Sequence, residues 1–254
     1  MRNIRVYLTI LIVLLPVLCA GQGKFYTAKE RFQNYENKIT KVVLPGNVVL
    51  DKIIQQEISS LWQVTPYEFC TDAEYEELKK NPRYFFLRLV TLLDSGNKDS
   101  GVVCLSLSKG GSGNRQSRDA AAEFIKLPVA SSVSRLTPLE TACFPAYISI
   151  VQQYIRDAAG SERIANVGLK SYAFKIRKAR DMEVGFEPEE SLRLLQECAP
   201  NGAVALVIAP QDAGSKSYYY HMIIGTMDMS LYYFARKKNA PRFTSLEKYM
   251  LRKK

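Results

Sequence analysis

The sequence predicts a mixed α/β protein made of two related two-layer modules, each with helices packed on one face of a mixed sheet. Short apolar runs alternate with amphipathic segments, as the strands and helices of such a fold do. The order β-α-β-α-β-β in the first half returns in the second half with an insertion, which favours a tandem duplication. The chain has 254 residues, of which 47% are hydrophobic. This length allows two globular domains of about 100–200 residues each.

The first module is assigned to residues 22–118. It opens with a strand over 41–44 that ends at Pro45-Gly46, and a helix follows over about 47–62. The helix is predicted because four apolar residues recur three or four positions apart and so share one face: Leu50, Ile54, Ile58 and Leu61.

An extended segment over 64–70 leads to a second helix. Thr71 and Glu74 form a capping box at its start, because each side chain can bond the backbone N–H of the other residue. Pro82 ends this helix, since the residue before a proline disfavours helical backbone. Two strands, over 84–93 and 101–108, then follow around a polar loop.

The second module, residues 119–254, repeats this order. Its predicted elements are a strand over 123–128, a helix ending near Gly160, an extended piece over 182–186, a helix opening at Pro188, and strands over 203–209, 218–225 and 229–235. A short basic helix behind a second capping box, Thr244 with Glu247, ends the chain.

The insertion lies near residues 160–180. Tyr172, Phe174 and Ile176 alternate there with polar residues, which predicts an additional strand. The hinge between the modules is predicted in 109–119, a stretch rich in Gly, Asn and Ser.

Residues 1–21 have the layout of a secretory signal peptide. Arg2 and Arg5 precede an uncharged apolar run over 6–20 that is too short for a membrane-spanning helix. We expect cleavage after Ala20 or Gly21, and therefore an exported protein. Lipidation at Cys19 stays open, although the residue before it is bulkier than the lipidation motif favours.

Most of the excess positive charge lies at the C-terminus. Residues 236–254 hold eight Lys and Arg against one acidic residue, whereas the rest of the mature chain is close to neutral. A neutral body argues against a nucleic-acid-binding fold. The basic end is expected to face water as a helix, or to contact an acidic polymer, anionic lipid headgroups or an envelope protein partner.

The cysteine and histidine content argues against metal chemistry. The chain has a single histidine and no closely spaced cysteine pairs, so no zinc site and no cofactor are predicted. Four cysteines remain in the mature chain, and the sequence leaves open whether they form two disulfides or stay free and buried: Cys70, Cys104, Cys143 and Cys198.

Several segments of the chain have a recognisable pattern: Leu44–Asp51, Trp62, Thr65–Phe69, Tyr84–Phe86, Thr226–Asp228 and Tyr232–Phe234. In these segments the chain resembles a group of secreted Bacteroidetes proteins of unknown function. The resemblance implies a Gram-negative envelope location: periplasmic, outer-membrane-associated or extracellular. It brings no catalytic residues with it.

One enzymatic alternative uses a cysteine nucleophile with His221 as its base, the arrangement of a thiol-dependent hydrolase. Cys70 precedes a predicted helix, whose dipole would lower the pKa of the thiol. Cys143 with His221 is the second form of this hypothesis.

Tyrosines and basic residues are concentrated on the last two predicted strands. Exposed tyrosine beside arginine and lysine is common at binding surfaces, whereas the alternative is aromatic packing inside the sheet. The candidate binding residues are Tyr218, Tyr220, Tyr232, Tyr233, Arg236, Lys237, Lys238 and Arg242. The sequence therefore favours a protein that acts by binding, or as part of an envelope assembly, over an enzyme. A peripheral membrane-surface protein held by its basic C-terminus is a further alternative.

Overall fold

The computed structural model describes residues 28–92, 101–111, 122–132, 134, 136–213 and 217–251. Within these residues the protein is mixed α/β, as predicted, with one five-stranded and one four-stranded sheet. Some predicted features lie outside the described residues: the signal peptide with its cleavage site and Cys19, the loop 94–100, most of the hinge 109–119, and the last three residues.

The first sheet is built mainly from the elements of the predicted first module. In chain order these are β1 (Ile39–Val43), α1 (Val48–Leu61), β2 (Tyr67–Cys70), α2 (Asp72–Leu78), β3 (Tyr84–Thr91), β4 (Val103–Lys109) and β5 (Ala122–Ala130). Two 3-10 turns, Lys29–Phe32 and Tyr35–Asn37, precede β1. The spatial order is β2-β1-β3-β4-β5. β1 runs parallel to β2 and β3, and β4 runs antiparallel to β3 and β5.

The position of β5 differs from the expectation that this strand opens the second module. It pairs with β4 instead, with Leu127 opposite Leu105, so the first sheet extends past residue 118. The buried residues of β5 mark the face that is covered, but they do not specify which neighbouring strand pairs with it. The hydrophobic pattern therefore predicts the strand without its partner.

The second sheet has four strands and is surrounded by helices. The elements that follow β5 are α3 (Pro138–Ala142), α4 (Phe144–Gly160), α5 (Glu162–Val167), β6 (Glu183–Gly185), α6 (Pro188–Gln196), β7 (Gly202–Ile208), β8 (Tyr218–Gly225), β9 (Leu231–Lys238) and α7 (Ser245–Leu251). The spatial order is β6-β7-β8-β9. β6 runs parallel to β7, and the other pairs are antiparallel.

The predicted additional strand in the insertion is wrong. Residues 168–179 form a 3-10 helix, Gly168–Ala179, directly after α5. Its buried side chains lie three or four positions apart, at Leu169, Tyr172, Ile176 and Ala179. This helical spacing decides the structure, whereas the alternation within 172–176 covers too few residues to define a strand.

Helices lie on both faces of the first sheet, so the prediction that they cover only one face is wrong for this module. Ile58 of α1 packs in the same cluster as Phe85 of β3, whereas Tyr75 of α2 packs against the next residue, Phe86. Successive side chains of a strand point to opposite faces, so α2 covers the face opposite α1. The predicted capping box at its start is present, with reciprocal bonds between Thr71 and Glu74.

Helix α4 lies between the two sheets. Ten of its 17 residues are buried, so it packs on more than one side. One hydrophobic cluster joins Ile148 of α4 to Leu127 of the first sheet and Met222 of the second. The buried Gln152 amide of α4 donates to the carbonyl of Leu61 at the end of α1, at 2.9 Å. The two sheets therefore share one core.

A buried hydroxyl in this core has no partner. The Tyr154 hydroxyl forms no hydrogen bond with any group in the described part of the chain, and the residue has no exposed surface. By contrast, the hydroxyl of Tyr172, which is also buried, donates to Asp157 Oδ2 at 2.8 Å. An unpaired polar group inside a protein costs about 1–3 kcal/mol.

We expect Tyr154→Phe to leave the free energy of unfolding unchanged or to raise it, because the variant removes an unpaired hydroxyl and keeps the ring. The matched control, Tyr172→Phe, removes a bonded hydroxyl and should lower the free energy of unfolding by about 1 kcal/mol. Urea denaturation of the two variants and the wild type measures both values. An equal loss in both variants would contradict the assignment.

Candidate functional site

The tyrosines predicted to bind a ligand are divided between the two faces of the second sheet. Tyr220 is 8% exposed, and its ring lies beside that of Phe234 in the core shared by both sheets. Tyr233 is 3% exposed, and its hydroxyl donates to Glu247 on the opposite face. Successive strand residues alternate between faces, so a run of tyrosines cannot form one surface. Burial therefore takes Tyr220 and Tyr233 out of the candidate site.

The other two predicted tyrosines are half-buried and lie apart from each other. Tyr218 is the first residue of β8. The Arg236 guanidinium lies 3.6 Å from the centre of its ring. The Tyr232 hydroxyl donates to Asp228 Oδ2 at 2.5 Å, near the turn between the same strands. Each tyrosine thus has a local partner at a different end of the sheet.

The basic C-terminal region is also divided. Lys237 and Lys238 end β9, and Arg242 lies in the segment that connects β9 to α7. α7 is the predicted short helix, whereas the last three basic residues lie outside the described part of the chain. No helix of the described residues is long and apolar enough to cross a membrane.

The structure does not bring the predicted cysteines to His221. Cys70 packs with Val43 and Phe86 on the face of the first sheet that α2 covers, and Cys143 lies in the core around α4. Burial raises the pKa of the Cys70 thiol to about 11, with the Glu74 carboxylate acting in the same direction. The expected activation by the helix dipole is therefore wrong for Cys70.

The other three cysteines differ in their exposure to solvent. Burial raises the pKa of the Cys143 thiol to about 12. Cys104 is buried as well, and Cys198 is exposed. All four cysteines of the described residues are free, so the disulfide alternative is not realised here.

His221 is occupied on both ring nitrogens. Nδ1 lies 3.0 Å from Glu247 Oε1, and Nε2 lies 2.7 Å from the carbonyl oxygen of Ala240. Both ring nitrogens therefore face hydrogen-bonding oxygens inside the protein, and neither is directed at a thiol. A ring held in this way is not placed to take a proton from Cys70 or Cys143. This geometry opposes the hydrolase hypothesis.

Glu247 gathers four hydrogen bonds, although its side chain has no exposed surface. Burial acts to raise the pKa of its carboxyl. The hydrogen bonds from His221, from the backbone and hydroxyl of Thr244, and from Tyr233 act in the opposite sense and hold the pKa at about 2. The second predicted capping box is therefore present, and its glutamate is also the partner of the buried histidine.

The segment 240–248 is held by His221 at two points, at the Ala240 carbonyl and at the Glu247 carboxylate. We name this segment the strap. It crosses the face of the second sheet opposite α4, where Phe243 packs against the ring of His221 with the ring centres 4.7 Å apart. The hydrogen bonds of the buried His221 thus determine where the strap lies.

A groove with a volume of about 540 Å³ runs beside β7. Four consecutive residues of β7, 205–208, line it, so the groove follows the edge of the strand and not one of its faces. β6 pairs with β7 only as far as Gly185, opposite Val204. Beyond Val204, this edge has no neighbouring strand within the described part of the chain. We name this feature the β7 groove.

Backbone groups of β7 point into the groove. The N–H of Thr226 donates to the carbonyl of Gly202, so the even-numbered residues of β7 exchange hydrogen bonds with β8. The C=O of Ala205 and the N–H and C=O of Val207 therefore point away from β8. No backbone or side-chain group in the described ranges bonds to Val207 on this side.

The β7 groove has two unlike walls. The helix wall comes from the starts of α3 and α6, and its residues are Thr137, Leu139, Glu140, Glu189 and Leu192. The strap wall lies on the other side, and its residues are Phe186, Pro241, Arg242, Phe243 and Lys248. Leu139 and Leu192 belong to the core around α4, whereas Phe186 and Phe243 belong to the cluster under the strap.

The early end of β6 opens the groove. A Cβ atom at Gly185 would lie 2.9 Å from the backbone nitrogen of Ser191, so only glycine allows α6 to approach this closely. The Ser191 hydroxyl donates to the Gly185 carbonyl at 3.0 Å, and Pro188 stands in the first turn of α6. The sequence pattern does not predict this groove. The one local signal for the early end of β6 is the short interval between Gly185 and Pro188.

The side chains of the groove supply charge and apolar contact rather than a nucleophile and a base. The Glu140 carboxylate is occupied, because Oε1 accepts from the Ser131 N–H at 3.0 Å and Oε2 from the Thr137 N–H at 2.7 Å. In the described ranges, no group of three His, Cys, Asp or Glu side chains could hold a metal ion. What the groove offers a ligand is the unpaired edge of β7 between two walls.

No family model, curated protein or solved structure matches this chain.

We expect Glu247→Gln to lower the free energy of unfolding by about 1–3 kcal/mol, because the amide group replaces an accepting oxygen and leaves donors inside the protein unpaired. Glu74→Gln is the matched control: it changes the same position of the exposed capping box at α2 and should cost much less. Urea denaturation at pH 7 compares the two variants.

The contribution of Glu247 should also depend on pH. Its pKa is lowered from 4.5 to about 2 in the folded protein, so the stabilisation is complete above pH 4.5 and is lost as the pH falls toward 2. The wild type should therefore lose more stability than Glu247→Gln over this interval. Equal losses in the two proteins would contradict an ionised Glu247 carboxylate in the folded protein.

Proposed function

We propose that the protein is an exported binding protein that takes up an extended segment of a partner protein at the β7 groove. The observation that carries the proposal is the unpaired edge of β7 inside a cavity, where the N–H and C=O of Val207 have no described partner. The function proposed is recognition by strand addition, not catalysis.

An extended peptide suits this edge better than another kind of ligand. Backbone N–H and C=O groups removed from water need hydrogen-bond partners, and a second strand supplies both kinds at the required spacing. Strand addition to an open sheet edge is an established mode of peptide recognition, in which the main chain provides affinity and side-chain pockets provide selectivity. Four residues of β7 line the groove. At about 3.3 Å per residue, they match a bound segment of about 13 Å.

Export is supported by the N-terminal pattern of two arginines, an apolar run and small residues. An extracytoplasmic place suits a module that collects segments of other envelope proteins. N-terminal sequencing of the protein recovered outside the cytoplasm tests this part, and a chain that still begins at Met1 would contradict it.

A random heptapeptide library displayed on phage tests the binding itself. Peptides selected on the folded protein are synthesised with one N-methyl group at each position in turn, and their binding is measured by fluorescence anisotropy. We expect about tenfold weaker binding at every second position, because only alternate N–H groups of an added strand face β7. The positions between them are the matched controls.

The same peptides should bind Val207→Pro about tenfold more weakly, because proline removes the N–H that faces the groove. Circular dichroism and thermal melting verify that this variant is folded. If it is not folded, the N-methyl scan remains as the test. Equal effects of N-methylation at all positions, or failure to select any peptide, would contradict strand addition.

A further inference from the structure

The two walls of the β7 groove differ in charge. Arg242 and Lys248 stand on the strap wall, and neither forms an ion pair with any residue in the described part of the chain. The helix wall presents the apolar side chains of Leu139 and Leu192, with the exposed Glu187 and Glu189 at the start of α6. A ligand that lies between the walls therefore meets positive charge on one side and apolar surface with negative charge on the other.

The cations of the strap wall are held in position. Arg242 lies two residues after Ala240 and Lys248 one residue after Glu247, and these are the two points where His221 bonds the strap. The Lys248 ammonium lies 4.8 Å from the centre of the Phe186 ring, which also lines the groove. The backbone beside both cations is therefore set before binding, and their positive charges favour a carboxylate at this wall.

Because the two walls differ, the geometry of an added strand predicts which residues the bound segment should contain. Side chains of an added strand alternate between the two faces, so every second residue meets the strap wall and the residues between meet the helix wall. An acidic side chain facing the strap meets Arg242 and Lys248. An acidic side chain facing the other way meets Glu189, which repels it.

We infer that the partner segment alternates acidic and apolar residues, with the acidic side chains toward Arg242 and Lys248 and the apolar side chains toward Leu139 and Leu192. This inference rests on the proposed strand addition at the β7 groove. It identifies the partner by chemistry: an extended acidic-apolar segment of an envelope protein.

Two synthetic heptapeptides test the inference: one alternates Val and Asp, and the other alternates Val and Lys. We expect the wild type to bind the Asp peptide at least about tenfold more tightly than the Lys peptide at low salt, with the difference shrinking as salt is added. The double variant Arg242→Glu/Lys248→Glu should reverse the preference. Fluorescence anisotropy with labelled peptides measures all four affinities.

A matched control separates the strap from the overall charge of the protein. Arg163→Glu/Lys170→Glu makes the same change in net charge at two exposed residues that do not line the groove, and it should keep the preference of the wild type. If this control also reverses the preference, the selectivity comes from net charge and the inference is overturned.

The two proposals fail in different ways. If both heptapeptides bind the wild type equally and every-second-position N-methylation still weakens binding, the inference about charge is overturned and strand addition stands. If neither heptapeptide binds and the phage library yields no peptide, strand addition fails and the inference fails with it.

Discussion

The burial of α4 between the two sheets is the constraint on which the rest of the fold depends. A helix with ten buried residues needs apolar partners on more than one side, and neither sheet alone supplies them. The first sheet contributes residues such as Leu127 and the second residues such as Met222 to one continuous cluster. The placement of α3 and α6 at one border of the second sheet, and hence of the helix wall of the β7 groove, follows from this arrangement.

The opposite wall depends on a different kind of interaction. The Glu247 carboxylate accepts from the backbone N–H of Thr244 in the capping box of a short helix, and its other oxygen bonds the ring of the buried His221. One carboxylate thus links α7 to β8 and β9 and carries the strap across the sheet. A purely apolar strap would pack in several ways, whereas this set of directed hydrogen bonds specifies one position.

Local sequence signals predict the helices and strands of this fold. The contacts between distant segments could not be predicted from them. Thr71 with Glu74 predicted the start of α2, and the spacing of Leu50, Ile54 and Ile58 predicted α1, because both signals act within a few residues. The partner of β5 and the bond between His221 and Glu247, 26 positions apart, depend on assembly of the whole chain. The β7 groove could not be predicted from the sequence for the same reason, since it lies where β6 ends beside the longer strand β7.

The shared core also bears on the order in which the protein acquires its structure during synthesis. Residues of the first sheet leave the ribosome before α4, so Leu107 and Leu127 lack the α4 part of their cluster until residue 160 has emerged. Their apolar side chains are incompletely packed over this interval, a situation in which a growing chain is prone to aggregate. The N-terminal half is therefore the part of this protein that we expect to need a chaperone most during synthesis.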